Sequence, residues 1–456
     1  MADRHMCVTA TGKPIDYTAR WTSYPVLGAD GEAIATVSAT AYVAEPVDPA
    51  RPVTFLFNGG PGASSSPLHM GAFGPNIFST TVDGGREIVP NPHTLLDCSD
   101  LVFVDPVGTG FSRELAPDGG APYLTVHGDA ASVEGLIRRW LTEHGRAHSP
   151  LHLVGESFGG FRLATLCASI ADLPVAGLVL ISPLLDATAT APGNDLTHAL
   201  ELPTMAVAAW FHGLASPNAA DAAEVFDTAE VFARDDYLRA LHQGSALDPA
   251  ERHRVGGRLA ALLGLPVEVV LDADLRVDSE DFLRRLLADR DELVGRLDVR
   301  VTGPMPPPPD PDGPPTVDDP ALGMIDTNVR HSDALADYLR THAGATAEGP
   351  YVSLSLELGF RFDWRSADRE EAFYVNQTTH LVKLLKERPQ ARALLIGGYF
   401  DLATVLSGTI HAATHSGMPT DRTEVLTLTS GHSLEPSVLP AVTAAVRKLI
   451  THAPGH

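Results

Sequence analysis

The chain reads as an α/β protein with a mostly parallel central sheet, helices on both faces and an inserted, mainly helical cap. Three observations predict this. Apolar runs of four to six residues recur from Val53 to Leu428. Helical periodicity fills the intervals between several of them. After Pro183 the rhythm breaks: residues 186 to about 372 are rich in Ala, Asp, Leu and Arg, and the alternation resumes only at Thr378. The expected organisation is a core over 1–185 that carries the nucleophile, a helical cap over 186–372, and the remainder of the core over 373–456.

Residues 15–57 alternate polar and apolar. The turn Gly28-Ala-Asp-Gly31 between Trp21–Leu27 and Ala33–Val43 predicts an antiparallel hairpin at the edge of the sheet. Buried parallel strands are expected at Val53–Phe57, Leu101–Val104, Leu151–Val154, Gly177–Ile181, Ala393–Ile396 and Val425–Leu428. A helix is expected near Ala130–Leu141, and beyond Ser157 the residues Leu163, Leu166, Cys167 and Ile170 form one apolar stripe of a second. The run Gly303–Pro315 holds too many prolines for a helix or a central strand. It reads as an extended surface loop, and its acidic interruptions disfavour a polyproline signalling ligand. Helices Thr378–Lys386 and Ser437–His452 complete the core.

Three short motifs follow three of these strands: Gly155-Glu156-Ser157-Phe158-Gly159, then Gly398-Tyr399-Phe400-Asp401, then Ser430-Gly431-His432. Ser, Asp and His in that order, each just past a strand, is the arrangement of the α/β-hydrolase fold. A serine hydroxyl is a poor nucleophile at neutral pH. His432 is therefore expected to take the proton of Ser157 and return it to the leaving group, with Asp401 orienting the imidazole. G-x-S-x-G alone arises by chance in a chain with 40 glycines, so the ordered Asp and His give the motif its weight. The stretch Asn58-Gly-Gly-Pro-Gly62 after an apolar strand lets backbone N–H groups approach a ligand unobstructed. The N–H groups of Gly60 and Phe158 are the expected oxyanion donors. A phosphate-binding loop is the rival, but no Gly-Lys-Ser/Thr follows.

Together, Asn58 to Gly62, Val104-Asp-Pro-Val-Gly-Thr-Gly-Phe-Ser112, Gly155 to Gly160 and Gly431-His432 resemble the serine carboxypeptidases, peptidase family S10. The prolyl iminopeptidase branch shares the Gly-Gly-Pro-Gly loop but has His at the position of Asn58. The resemblance covers roughly 20–190 and 375–450. It implies that Asn58, Gly59 and Glu156 bind the free carboxylate of a peptide C-terminus. Two carboxyl groups in a partly dry site cannot both stay ionised, so a protonated Glu156 would donate to the substrate carboxylate. The alternative for Glu156 is a solvated loop acid. Leu56, Ala63, Ala72 and Phe158 depart from the residues usual in secreted members, which leaves the clamp for the carboxylate open.

The formal charge of −24 argues against nucleic-acid or anionic-membrane partners. Cys7, Cys98 and Cys167 are odd in number and scattered, so no disulfide framework is expected. The first residues lack the apolar segment of a signal peptide and nowhere do eighteen apolar residues run together, so a cytoplasmic, soluble protein is expected. His411 and His415, four apart, could face one side of a helix, but no third ligand lies nearby and no metal or cofactor is expected. Asp105 is read as shaping a loop. The expected activity is a serine-type carboxypeptidase acting on a peptide or peptide-like small molecule. The alternatives are a related acyltransferase or ester/amide hydrolase of a metabolite pathway, and a binding scaffold with a relic site.

Overall fold

In a computed structural model that describes residues 3–28, 30–81, 85–190, 193–307, 317–324, 327–365 and 375–452, nine strands form one sheet. In chain order these are β1 (Asp3–Val8), β2 (Pro14–Leu27), β3 (Ala33–Ala44), β4 (Val53–Phe57), β5 (Asp100–Asp105), β6 (Leu151–Glu156), β7 (Val175–Ile181), β8 (Arg392–Gly398) and β9 (Thr423–Leu428). Their spatial order is β1-β2-β3-β5-β4-β6-β7-β8-β9. The first three and the β3/β5 pair are antiparallel. From β5 across to β9 all pairing is parallel. Every residue of β4, β5 and β6 is buried, which is why these strands are continuous apolar runs and not alternating ones. Each fully buried Val, Leu or Phe among them contributes about 1.5–3 kcal/mol by leaving water.

The longer helices are α1 (Val126–Glu143), α2 (Phe158–Leu166), α3 (Leu196–Phe211), α4 (Ala222–Phe232), α5 (Pro249–Leu263), α6 (Asp333–His342), α7 (Thr378–Glu387), α8 (Leu406–His415) and α9 (Leu439–Ile450). Thr125 caps α1 by accepting from the Gly128 N–H, and the α1 stripe of Val133, Leu136, Ile137 and Trp140 packs with Phe55, Phe57 and α2 on one face of the sheet. Val442 and Val446 of α9 pack on the other face with Leu394 and Ile396. Helices on both faces of a parallel sheet make this the α/β-hydrolase fold that the strand rhythm predicts.

Two expectations change. The hairpin of β2 and β3 is not the sheet's edge, because β1 pairs along β2 from Asp3↔Ala19 to Val8↔Pro14. The segment 186–372 does not pack as one body. Leu202, Val207, Phe226, Leu259 and Val299 share a core with Phe400, Leu402 and Leu406, whereas Leu335, Tyr338 and Leu339 of α6 pack with Tyr42 and Phe103 of the sheet. In the proline-rich run, Gly303 and Pro304 enter a short strand, Thr302–Pro304, paired with Glu292–Val294, and residues 308–316 lie outside the described residues. Among the described residues no helix is long and apolar enough to cross a membrane, and Cys7, Cys98 and Cys167 are unpaired.

Parallel strands end on the same side, so the loops after β4, β6, β7, β8 and β9 meet at one end of the sheet. Those loops carry Asn58, Ser157, Ser182, Asp401 and His432.

Candidate active site

Ser157 stands between β6 and α2 with φ 60° and ψ −127°, a backbone conformation that L-residues rarely adopt. The turn is closed by Ser157 N–H donating to Ile181 O at 2.8 Å and by the Gly160 and Leu184 N–H groups donating to Ser157 O at 2.8 and 3.2 Å. Its tightness explains Gly155, where a Cβ would stand 2.2 Å from Gly159 O. Ser157 is half-buried, and its hydroxyl makes no hydrogen bond among the described residues. The structure therefore brings Ser157 to the site without pairing it to His432.

Asp401 and His432 are paired: His432 Nδ1 lies 2.8 Å from Asp401 Oδ2. Asp401 is fully buried, its Oδ1 accepting from Ala403 N–H at 2.9 Å and Thr404 N–H at 3.0 Å, its Oδ2 from Thr404 Oγ1 at 2.8 Å. An ionised acceptor at Nδ1 fixes the proton there and leaves Nε2 as the basic nitrogen. Burial alone would lower the His432 pKa, but Asp401, and then Glu156, outweigh it and raise it. The loops converge on the end of β7, where Ser182 Oγ donates to His432 O at 2.8 Å and Thr404 Oγ1 lies 2.8 Å from Ser182 O as well as from Asp401 Oδ2, its one proton shared between the two acceptors.

The Asn58–Gly62 loop lies against the start of α2. A Cβ on Gly59 would stand 2.4 Å from Phe158 N, so only glycine leaves that N–H approachable. Among the described residues neither the Gly60 nor the Phe158 N–H has an acceptor. Asn58 Oδ1 accepts from Leu68 N–H at 3.2 Å, and the Asn58 side chain lowers the pKa of the Glu156 carboxyl. Burial pushes the Glu156 carboxyl up to about 7, against the pull of His432 and of Asn58, so it is not a solvated loop acid. Leu56 and Ala72 are buried in the core with Leu68 and Phe73. Asp105 accepts from Ser65 N–H at 2.8 Å, Ser65 Oγ at 2.7 Å and Tyr351 Oη at 3.0 Å, which holds the loop beyond Gly62.

Further residues at the site have no place in the motifs. Thr404 and Ser182 bridge the loops. A strap from the cap, residues 296–299, binds both acid and base loops: Leu402 N–H donates to Arg296 O at 3.0 Å, Val299 N–H to Phe400 O at 3.0 Å, and His432 N–H to Leu297 O at 2.8 Å. Arg162 of α2 is buried with Asp129 and reaches Asn58 O. Its signal in the sequence is a charge on the face of a helix whose neighbours are apolar. Between α3 and α8 a cavity of about 260 Å³ opens beside the Asp401 loop, bounded by Leu184, Leu200, Glu201, Thr404, Thr409 and His411. The His411 and His415 rings stack 4.0 Å apart, and among the described residues no three His, Cys, Asp or Glu side chains cluster as a metal site would.

The family model for serine carboxypeptidases, Peptidase S10, matches residues 41–241. No curated protein matches the chain in sequence. Among solved structures it is similar to a prohormone-processing carboxypeptidase from Saccharomyces cerevisiae, with a TM-score of 0.58 and 14% identity over 95% of this chain and 90% of that one. It is also similar to a proline iminopeptidase from Mycobacterium smegmatis, with a TM-score of 0.38 and 15% identity over 94% of this chain and 97% of that one.

Proposed function

We propose that this serine hydrolase of the carboxypeptidase family removes residues from the C-terminus of short peptides through an acyl-enzyme. Ser157 Oγ attacks the scissile carbonyl while His432 Nε2 takes its proton and passes it to the leaving amine; Asp401 stabilises the imidazolium. The Gly60 and Phe158 N–H groups receive the oxyanion, and water, activated by the same histidine, releases the acyl group. Asn58, Gly59 and Glu156 hold the terminal carboxylate. The cavity beside the Asp401 loop shares Leu184 and Thr404 with the surroundings of the triad and takes a substrate side chain.

One observation carries the reading: a buried carboxyl, Glu156, directly precedes the nucleophile, with its pKa pushed up to about 7 by burial. Held protonated, such a group donates to a carboxylate instead of repelling it. The test is cleavage of blocked dipeptides that differ only in a free or amidated C-terminus, with Ser157→Ala as control. Preference for the free acid, at least tenfold in kcat/KM, is expected. Equal cleavage of both would sink the carboxypeptidase assignment in favour of an ester/amide hydrolase or acyltransferase, and failure of Ser157 in folded protein to label with a fluorophosphonate would point to a relic site.

A further inference from the structure

We propose that Arg162 is a positioning residue of the hydrolytic site: by holding the carbonyl oxygen of Asn58, it sets the direction of the N–H groups of the glycine loop. The inference rests on the reading of that loop as the oxyanion and carboxylate cradle.

Arg162 lies on α2, five residues past Ser157, with its side chain only 1% exposed. A guanidinium cannot shed its charge, so its burial requires partners. Nε and Nη2 donate to Asp129 of α1 at 2.5 and 3.0 Å, and Nη1 donates to Asn58 O at 2.6 Å. The group also sits 5.5 Å from the Phe57 ring centroid and 5.3 Å from that of Phe158, so it is walled in by the residues that flank both donor segments. Asp129 alone would neutralise it. The third bond is the one that reaches the site.

A peptide unit is planar, so fixing the Asn58 carbonyl fixes the Gly59 N–H, which points the opposite way. A charged donor on the oxygen also polarises the amide and strengthens its N–H as a donor. The loop needs such an anchor. Gly59 and Gly60 have no side chains to hold them, and Gly60 has φ +98°. Donors aimed at a developing oxyanion help only if they are in place beforehand.

A second buried pair supplies the control. Arg146 and Asp100, with side chains 2% and 0% exposed, meet at 2.5 Å at the start of β5, the opposite end of that strand from the site. Arg162→Met and Arg146→Met are compared for kcat, KM, Tm, affinity for a peptide boronic acid that forms a tetrahedral adduct with Ser157, and affinity for an unreactive product peptide. Both variants are expected to lower Tm. Arg162→Met alone is expected to raise KM and weaken the product peptide by about tenfold, through the Gly59 N–H assigned to the substrate carboxylate, and to lower kcat and boronate affinity by about 10–10²-fold, through the Gly60 N–H one residue on. Arg162→Lys, which can reach Asp129 or Asn58 O but not both, recovers part of kcat and carries the same readouts should Arg162→Met not fold. Retained kcat and boronate affinity in folded Arg162 variants, or an equal loss of kcat in Arg146→Met, would overturn the proposal. A wild-type protein that binds no boronate at Ser157 would overturn the underlying reading of the site, and this one with it.

Discussion

On the nucleophile side, Ser157 and the Asn58 loop extend from β6 and β4, strands paired up to Phe57↔Gly155. They are held by glycine-tight backbone contacts and by Arg162, and beyond the donor residues by the inserted segment, where Ser64 N–H donates to Ser353 O at 3.0 Å and Ser355 N–H to Gly62 O at 2.9 Å. On the acid–base side, Asp401 and His432 extend from β8 and β9, and a strap from residues 296–299 of the cap grips both loops. Both halves borrow a segment distant in sequence, but at different places: residues 351–355 meet the nucleophile side beyond its donor residues, at Gly62 and Ser64, whereas the 296–299 strap bonds the Asp401 and His432 loops themselves. The contrast implies that the strap must be docked for the base to be aimed.

The largest effect tests whether the two halves act as one device. Ser157→Ala and His432→Ala, each in folded protein, are expected to lower kcat by about 10⁶-fold, and the double variant to lower it no further. Steady-state and single-turnover rates on the preferred free-acid dipeptide check this. Losses that add would mean the histidine and serine are not coupled.

A smaller effect isolates the strap. Asp319 accepts from the Arg296 and Leu297 N–H groups at 3.2 and 3.0 Å and thereby shapes the segment that grips Asp401 and His432. Asp319→Ala leaves those donors unsatisfied, at a cost of about 1–3 kcal/mol in stability. The expected loss in kcat is about 10–10²-fold, because the base is misaimed while the Asn58 loop is untouched. The preference for free over amidated C-termini should stay as it was. A change in that preference with unchanged kcat would reverse the roles given to the two halves.

The same contrast explains what could be read in the sequence. The strands of the nucleophile half are legible because burial on both faces makes them continuous apolar runs, and the elbow is legible because its glycines are forced by contacts a few residues apart. Asp401 and His432 are legible by order and position after strands. What holds them is not: Leu297 and Arg296 act through backbone carbonyls, which leave no trace in residue type. The split of the segment 186–372 escaped for a related reason. The apolar face of α6 shows that it is covered, but its partners, Tyr42 and Phe103, are set by the tertiary path of the chain. β1 opens on Asp3, Arg4 and His5 and leaves Met6 and Val8 exposed, so it shows neither an apolar run nor a clean alternation. Arg162 has no place in the motifs; a charge among apolar neighbours is its one signal in the sequence, and only the structure gives its partners.

The finest test lies where the halves touch, at Glu156, whose charge acts on His432. In the proposed mechanism His432 must be neutral, so kcat/KM rises with pH through its raised pKa for every substrate. Glu156 must be protonated to hold a substrate carboxylate, so for free-acid peptides kcat/KM falls again, by about tenfold per pH unit above about 7. The free-acid profile is therefore a bell, and the two limbs belong to the pair of groups jointly. An ester or amidated substrate does not use the clamp and should show the rising limb followed by a plateau. Glu156→Gln keeps a donor at all pH values and removes a negative charge from beside the imidazole. Its alkaline limb should vanish, and its acid limb should move to lower pH because His432 loses a partner that favours its charged form. Profiles from pH 4.5 to 9 on matched free-acid and amidated dipeptides decide it. An alkaline limb that persists in Glu156→Gln would take the carboxylate clamp away from Glu156 and leave the nucleophile half with backbone donors alone.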